Sequence, residues 1–232
     1  MIGILGGMGH LATIDLMEKI VQLGASNTAT EQENVPILVY SDPSVPDRRA
    51  ALLSGGESPL PKLIQGVKRL ENSGASLIVI ACHTAHHWVD RLTSSIKIPI
   101  IHIADAACEE VRNTTPRGSK IAVLATEATI QSGFYQSRLS SIGLPPIHLA
   151  SHEYFDFVEP SIALAKAGNS KLARPLMEQA MVALQKKGAQ KVVLACSELP
   201  LLMRELQSCP LPYIDATRCL AQTAIDTYRQ NQ

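Results

Sequence analysis

Two cysteines in this chain sit at the end of the same local phrase. Gly74-Ala75-Ser-Leu-Ile-Val-Ile-Ala81-Cys82 and Gly188-Ala189-Gln-Lys-Val-Val-Leu-Ala195-Cys196 align at one offset, 196 − 82 = 114 residues. Each is a short apolar run rich in β-branched side chains, which reads as a buried strand delivering its cysteine at the carboxyl end. A single free cysteine most often just packs as a small hydrophobe. Repetition at equivalent strand ends favours chemistry instead, because ligands of parallel α/β sheets bind beyond the carboxyl ends of the strands. Facing lobes would bring both thiols into one cleft.

The residues around Cys82 leave other chemistries open. Cys82, His83, His86 and His87 offer metal-ligand types, and Cys82 and His86, four apart, would share a helix face. Such a site needs more ligands than are evident, and the second copy offers Ser197, Glu198 and Leu199 with no histidine. A Cys–His nucleophile is a further reading, with His86 or His87 lowering the thiol pKa of Cys82. It would leave Cys196 idle.

The elements that must position these residues alternate between strands and helices. Ile2 to Leu5 is a short apolar strand, Gly6 to Gly9 a tight turn, and Thr13 to Leu23 a helix with Ile14, Met17, Ile20 and Val21 at helical spacing. Gly7-Met-Gly9-His-Leu-Ala12 fits a loose dinucleotide fingerprint. The acidic residue expected at the end of the second strand is missing, since Pro36 to Tyr40 reaches Asp42 too late. An anion-binding turn is the better reading. Residues 41 to 61 form a Pro/Ser/Gly-dense loop carrying Val45-Pro-Asp-Arg48-Arg49, placed to overhang a crevice. On residue types alone Arg48 is a surface cation paired with Asp47. Leu63 to Leu70 is an amphipathic helix feeding the strand that ends at Cys82, and Ile98 to Ile103 is a further strand.

The second half repeats the first. Lys120 to Ala125 parallels Ile2 to Gly6 and leads through Thr126-Glu-Ala-Thr129 into a helix, Leu176 to Leu184 parallels Leu63 to Leu70, and Pro210 to Asp215 parallels Pro99 to Asp105. The expectation is an α/β fold of two pseudo-symmetric lobes, each a mainly parallel sheet flanked by helices, with the active site in the inter-lobe cleft. The lobes span residues 1–113, joined by a C-terminal helix 215–232, and 114–214. The join falls near the breaker-rich Asn113 to Ser119.

Composition narrows the partners. Of 232 residues 46% are hydrophobic, and Lys plus Arg equals Asp plus Glu at 21 each, so no basic stripe favours nucleic acid. The start lacks a charged n-region and cleavage site, and no apolar run approaches the ~18 residues that span a bilayer. Five cysteines without CxxC spacing suit a reducing compartment. The expectation is a cytoplasmic protein.

At both cysteine motifs the sequence resembles the cofactor-independent aspartate/glutamate racemase family, and within it looks most like aspartate racemases. The resemblance covers essentially the whole chain. Its carriers are Gly6-Gly-Met8-Gly9 with Ala12-Thr13, Pro46-Asp-Arg48, Ala81-Cys82-His83-Thr84-Ala85-His86, Ala125-Thr126 with Thr129, Lys166, and Ala195-Cys196-Ser197-Glu198. The resemblance implies a homodimer without pyridoxal phosphate or metal, acting on a small dicarboxylic amino acid. Cys82 and Cys196 become its acid/base pair, and Arg48 and Lys166 the cations for the substrate carboxylates. Met8, His83, Thr84, Thr126, Thr129 and Ser197 line the same pocket. Two departures stand out: His83 replaces the family's usual asparagine and His10 its usual proline. Ser197 for the usual threonine keeps the hydroxyl. Within enzymes the rivals are glutamate racemisation and maleate isomerisation. Outside them the rival is a non-catalytic dicarboxylate-binding protein.

Overall fold

The computed structural model describes residues 1–25, 30–204 and 209–231. The chain divides into two units, residues 1–106 with 217–232, and residues 107–216. In chain order the first contains β1 (Ile2–Gly6), α1 (His10–Ala25), β2 (Ile37–Ser41), α2 (Arg48–Leu53), α3 (Leu60–Asn72), β3 (Leu77–Ile80), α4 (Val89–Thr93) and the start of α5 (Ile103–Thr114). The second contains β4 (Ile121–Ala125), α6 (Glu127–Gln131), α7 (Phe134–Ser141), α8 (Ser151–Glu153), α9 (Glu159–Lys166), α10 (Ser170–Lys186), β5 (Lys191–Ala195), α11 (Leu199–Met203) and β6 (Tyr213–Asp215). The chain then ends on α12 (Ala216–Gln230), which is assigned to the first unit from Thr217 on.

Each unit is built on a parallel three-stranded sheet, ordered β2-β1-β3 and β4-β5-β6. The internal repeat holds to the residue: Ile2 pairs with Leu77 in the first sheet, and Ile121 with Lys191 in the second. Single bridges complete the likeness. Ile78 pairs with Ile100 where the second unit has β6, and Ala122 pairs with Ile147 where the first has β2. Both sheets therefore follow one four-member order, each with a different outer member reduced to one pair. Burial of every residue in β1, β3 and β4 follows from helices covering both faces of a parallel sheet.

Two expectations need correction. Ile98 to Ile103 is not a strand: the Ile78 amide donates to the Pro99 carbonyl and the Ile101 amide to the Ile78 carbonyl, and pairing stops there. His102 then starts α5, since its Nδ1 accepts from the Ala104 amide and its carbonyl from Asp105 and Ala106. A helix start and a strand cannot share those residues. The second correction concerns α1, whose apolar spacing was read on Ile14, Met17, Ile20 and Val21. Only Ile20 is buried; Ile14 is 60% exposed and Met17 and Val21 42% each. The core face is Ala12, Leu16, Ile20 and Leu23, with Asp15 and Lys19 buried beside them as an ion pair at 2.6 Å. No helix among the described residues is long and apolar enough to cross a membrane.

Candidate functional site

Cys82 is placed by the last rung of the first sheet. The Ala81 amide donates to the Leu5 carbonyl at 2.9 Å, and Cys82 is the next residue. Its side chain is 8% exposed and packs in the same apolar cluster as Met8, Ala85 and Val89. The chain turns at once into a 3-10 segment, Thr84–Trp88, where the His86 Nδ1 lies 2.9 Å from the Cys82 carbonyl. A carbonyl only accepts, so Nδ1 carries the proton. This nitrogen holds the turn's backbone and does not reach for the sulfur. His102 packs against the His86 ring at 4.8 Å between centroids.

His83 and Thr84 are both buried. Burial, with the charges of His86 and Lys19 adding to it, holds the His83 imidazole well below its ordinary value of 6.5. The ring is neutral. It therefore offers one uncharged N–H donor, as the amide of an asparagine would. His10, the other departure, opens α1 and sets its Nδ1 3.1 Å from the Ser41 hydroxyl.

The glycine turn is explained by packing. Gly7 has φ +86, and a Cβ there would lie 2.2 Å from the Asp42 backbone nitrogen. One on Gly6 would lie 2.3 Å from Thr13 Cγ2. The Gly7 amide donates to the Thr13 hydroxyl, which donates to the Gly9 carbonyl. With that amide already committed inside the turn, the anion-cradle reading loses a donor it needs.

Arg48 is tied to the same turn. Its Nη1 donates to the carbonyls of Val45 and Pro46, at 3.0 and 2.9 Å, and its Nη2 to the carbonyl of Met8 at 2.9 Å. A guanidinium has five N–H donors, so three are spent on backbone. Those left are one proton on Nη2 and the one on Nε, whose nitrogen is buried with no hydrogen-bond partner among the described residues. Asp47 acts as the N-cap of α2, accepting from the amides of Arg49 and Ala50.

In the second unit the pairing of Ala125 with Ala195 sets Thr126 and Cys196, the following residues, side by side at two strand ends. Thr126 caps α6, and its hydroxyl donates to that of Thr129 at 3.0 Å while accepting from the Thr129 amide. Cys196 is 3% exposed. Its Sγ lies 3.1 Å from Glu198 Oε2, and the Ser197 hydroxyl lies 3.3 Å from the same oxygen. Burial first, and then the Glu198 charge, push this thiol well above its ordinary value, while Lys166 at the end of α9 pulls the other way.

Glu198 belongs to the Ala195-Cys196-Ser197-Glu198 motif, but sequence reasoning gives it no role of its own in the site. The signal was its place two residues after Cys196, where the first half carries Thr84 after Cys82. Each unit thus holds one cysteine and one of the two cations, with a carboxylate against the second thiol. Among the described residues no group of three or more His, Cys, Asp or Glu side chains gathers as a metal site. A groove of about 770 Å³ between α8 and α10, lined by His152, Phe157, Glu178 and Lys187, contains none of the residues above.

Comparison with known proteins identifies the family and the fold. Residues 5–224 match the family model described as Asp/Glu/Hydantoin racemase. The chain is 29% identical over 233 residues to the broad specificity amino-acid racemase RacX of Bacillus subtilis (strain 168), covering 98% of each. Among solved structures it is similar to the Picrophilus torridus aspartate racemase, with a TM-score of 0.84 at 28% identity over 97% of this chain and 93% of that one. It also shares the fold of the Campylobacter jejuni glutamate racemase, with a TM-score of 0.68 at 19% identity over 100% and 85% of the two chains.

Proposed function

The chain belongs to the Asp/Glu/Hydantoin racemase family, and from that premise we propose that it interconverts L- and D-aspartate by proton transfer at the α-carbon between Cys82 and Cys196, without pyridoxal phosphate. The observation that carries this reading is the register: two buried thiols follow equivalent strands paired in the same way with β1 and β4. Racemisation removes a proton from one face of a carbon and returns one to the other. Two groups, one thiolate and one thiol, do this better than one, and exchange roles for the opposite enantiomer.

The substrate is assigned by its charges. The donors Arg48 keeps, Nε–H and one on Nη2, suit a carboxylate that approaches the guanidinium side-on. Lys166 supplies the second cation expected for a dicarboxylate. Negative charge developing on the α-carboxylate is met by amides at the strand ends and by the hydroxyl of Thr84. His83, neutral, Met8, Thr126 and Thr129 are the remaining residues that this reading assigns to substrate binding. We place the enzyme in the cytoplasm as a homodimer, which the apolar stripe Leu11, Ile14, Met17 and Val21 on the outside of α1 supports as a surface for a second copy.

A second reading, a racemase of broad specificity, is favoured by the likeness to RacX and by His83 in place of the usual asparagine. One experiment separates them. Purified protein without added pyridoxal phosphate is incubated with L-aspartate, L-glutamate, a panel of neutral and basic L-amino acids, and maleate. D-aspartate forming fastest supports the proposal, and comparable rates across the neutral and basic amino acids would replace it with the broad one. Conversion of maleate alone, or stabilisation by aspartate without turnover, would reject both.

A further inference from the structure

We propose that Glu198 is a positioning residue that keeps Cys196 in its thiol form between turnovers, leaving Cys82 as the resting base and making the two enantiomers unequal substrates. The proposal rests on the racemase reading above for its consequence in turnover, and on geometry alone for the coupling itself. The Cys196 sulfur and the Ser197 hydroxyl converge on one carboxylate oxygen, Oε2 of Glu198, at 3.1 and 3.3 Å. All three residues are buried. An ionised carboxylate only accepts hydrogen bonds, so the proton between sulfur and oxygen is supplied by the thiol. A thiolate in that position would face a like charge at contact distance with little water to screen it.

The internal repeat shows that this arrangement is one-sided. Cys82 and Cys196 follow strands in the same register, but two residues on stand Thr84 in one half and Glu198 in the other. The charges acting on the Cys196 thiol are Glu198, at the N-terminus of α11, and Lys166, from the end of α9. They oppose each other: the carboxylate favours thiol and the ammonium favours thiolate. The Glu198 backbone amide also favours thiolate, but burial and the carboxylate at contact distance outweigh both and favour thiol. For Cys196 to act as base, its proton must leave the sulfur, so the enantiomer presented to Cys196 meets a minor form of the free enzyme.

Thermodynamics fixes how this asymmetry shows itself. Enantiomers are equal in free energy, so kcat/KM must be the same in both directions at every pH. The difference falls on kcat and KM separately: the enantiomer whose α-proton faces Cys82 binds the populated form, with lower KM and lower kcat by one common factor.

The test reads the thiols first, without substrate. In the full-length protein, alkylation of Cys82 and of Cys196 by iodoacetamide is followed against pH by peptide mass spectrometry. The midpoint for Cys196 should lie at least about one pH unit above that for Cys82, a tenfold difference in thiolate fraction. In Glu198→Gln the Cys196 midpoint should fall by about one unit or more while that of Cys82 stays, and Glu198→Asp, which keeps the charge, should restore part of the shift. In turnover, the kcat ratio between L- and D-substrate should move toward one in Glu198→Gln. Equal midpoints for the two cysteines of the wild type, or an unmoved Cys196 midpoint in folded Glu198→Gln, would overturn the proposal. The wild-type comparison decides even where the variant does not fold. Shifted midpoints in a protein that racemises nothing would uphold the thiol–carboxylate coupling and reject the racemase reading.

Discussion

Lys19→Met probes the buried ion pair of α1, whose lysine charge reaches His83. Lys19 Nζ and Asp15 Oδ2 are 2.6 Å apart, with side chains 7% and 0% exposed, on the core face of α1. Removing only the lysine takes a partner at 2.6 Å away from a buried carboxylate, and breaking a buried pair in this way costs about 3–5 kcal/mol. In a chain of this size each kcal/mol moves the melting temperature by about 2–4 °C, so the variant should melt about 6–20 °C lower. Replacing both partners, Asp15→Leu with Lys19→Met, removes the buried carboxylate along with the pair and should recover most of that loss. Thermal melts followed by circular dichroism measure both variants at one pH. The lysine charge is also one of the causes that hold His83 low. Its ring resonances, read by NMR, should therefore titrate at higher pH in Lys19→Met than in the wild type. A single variant that melts within about 2 °C of the wild type, or a double variant no more stable than the single, would refute the reasoning.

Three further outcomes follow from the site. Arg48→Lys loses the planar fork that ties the Val45, Pro46 and Met8 carbonyls and that the proposed function sets against a substrate carboxylate, so kcat/KM on aspartate should drop by about 10² or more with the fold retained; activity within threefold of wild type, measured by chiral chromatography, would remove Arg48 from the proposed pocket. His83→Asn should stay active, because the wild-type ring is already neutral. It should also change the response to acid: with the folded His83 value depressed below 6.5, the unfolded chain takes up the proton first, so wild-type stability is intact above pH 6.5 and is lost as pH falls below it. Melting curves between pH 8 and 5 should show a shallower acid decline in His83→Asn, and identical slopes would contradict the assignment. Cys82→Ser and Cys196→Ser should each abolish racemisation, since an alkoxide at neutral pH is far less accessible than a thiolate. Early in the wild-type reaction in heavy water, the newly formed enantiomer should carry deuterium while the remaining substrate gains little. Full activity in either serine variant would falsify the two-thiol mechanism.

What could be read from the amino acids, and what could not, divides along the range of the forces involved. The repeated Gly-Ala-strand-Cys phrase was legible because strand burial is written locally, in runs such as Leu77–Ile80 and Val192–Ala195, and the paired register confirms it. The core face of α1 was misread because a polar pair does part of an apolar job there. Asp15 and Lys19 neutralise one another and go inside, while Ile14 and Met17 remain outside. Spacing alone cannot report which of two apolar stripes is covered. Ile98 to Ile103 looked like a strand by composition, but His102 offers its ring and carbonyl to the amides that follow, and a helix starts first. By residue types alone Arg48 reads as a surface cation paired with Asp47, whereas that it spends three donors on carbonyls is a tertiary fact. The role of Glu198 was not legible for the same reason: residue types do not report that its carboxylate is buried 3.1 Å from the Cys196 sulfur. The two halves agree where strands must pair and differ two residues past each cysteine, with Thr84 in one and Glu198 in the other. On the proposed mechanism, that one difference in an otherwise repeated motif makes Cys196 the thiol that waits as acid.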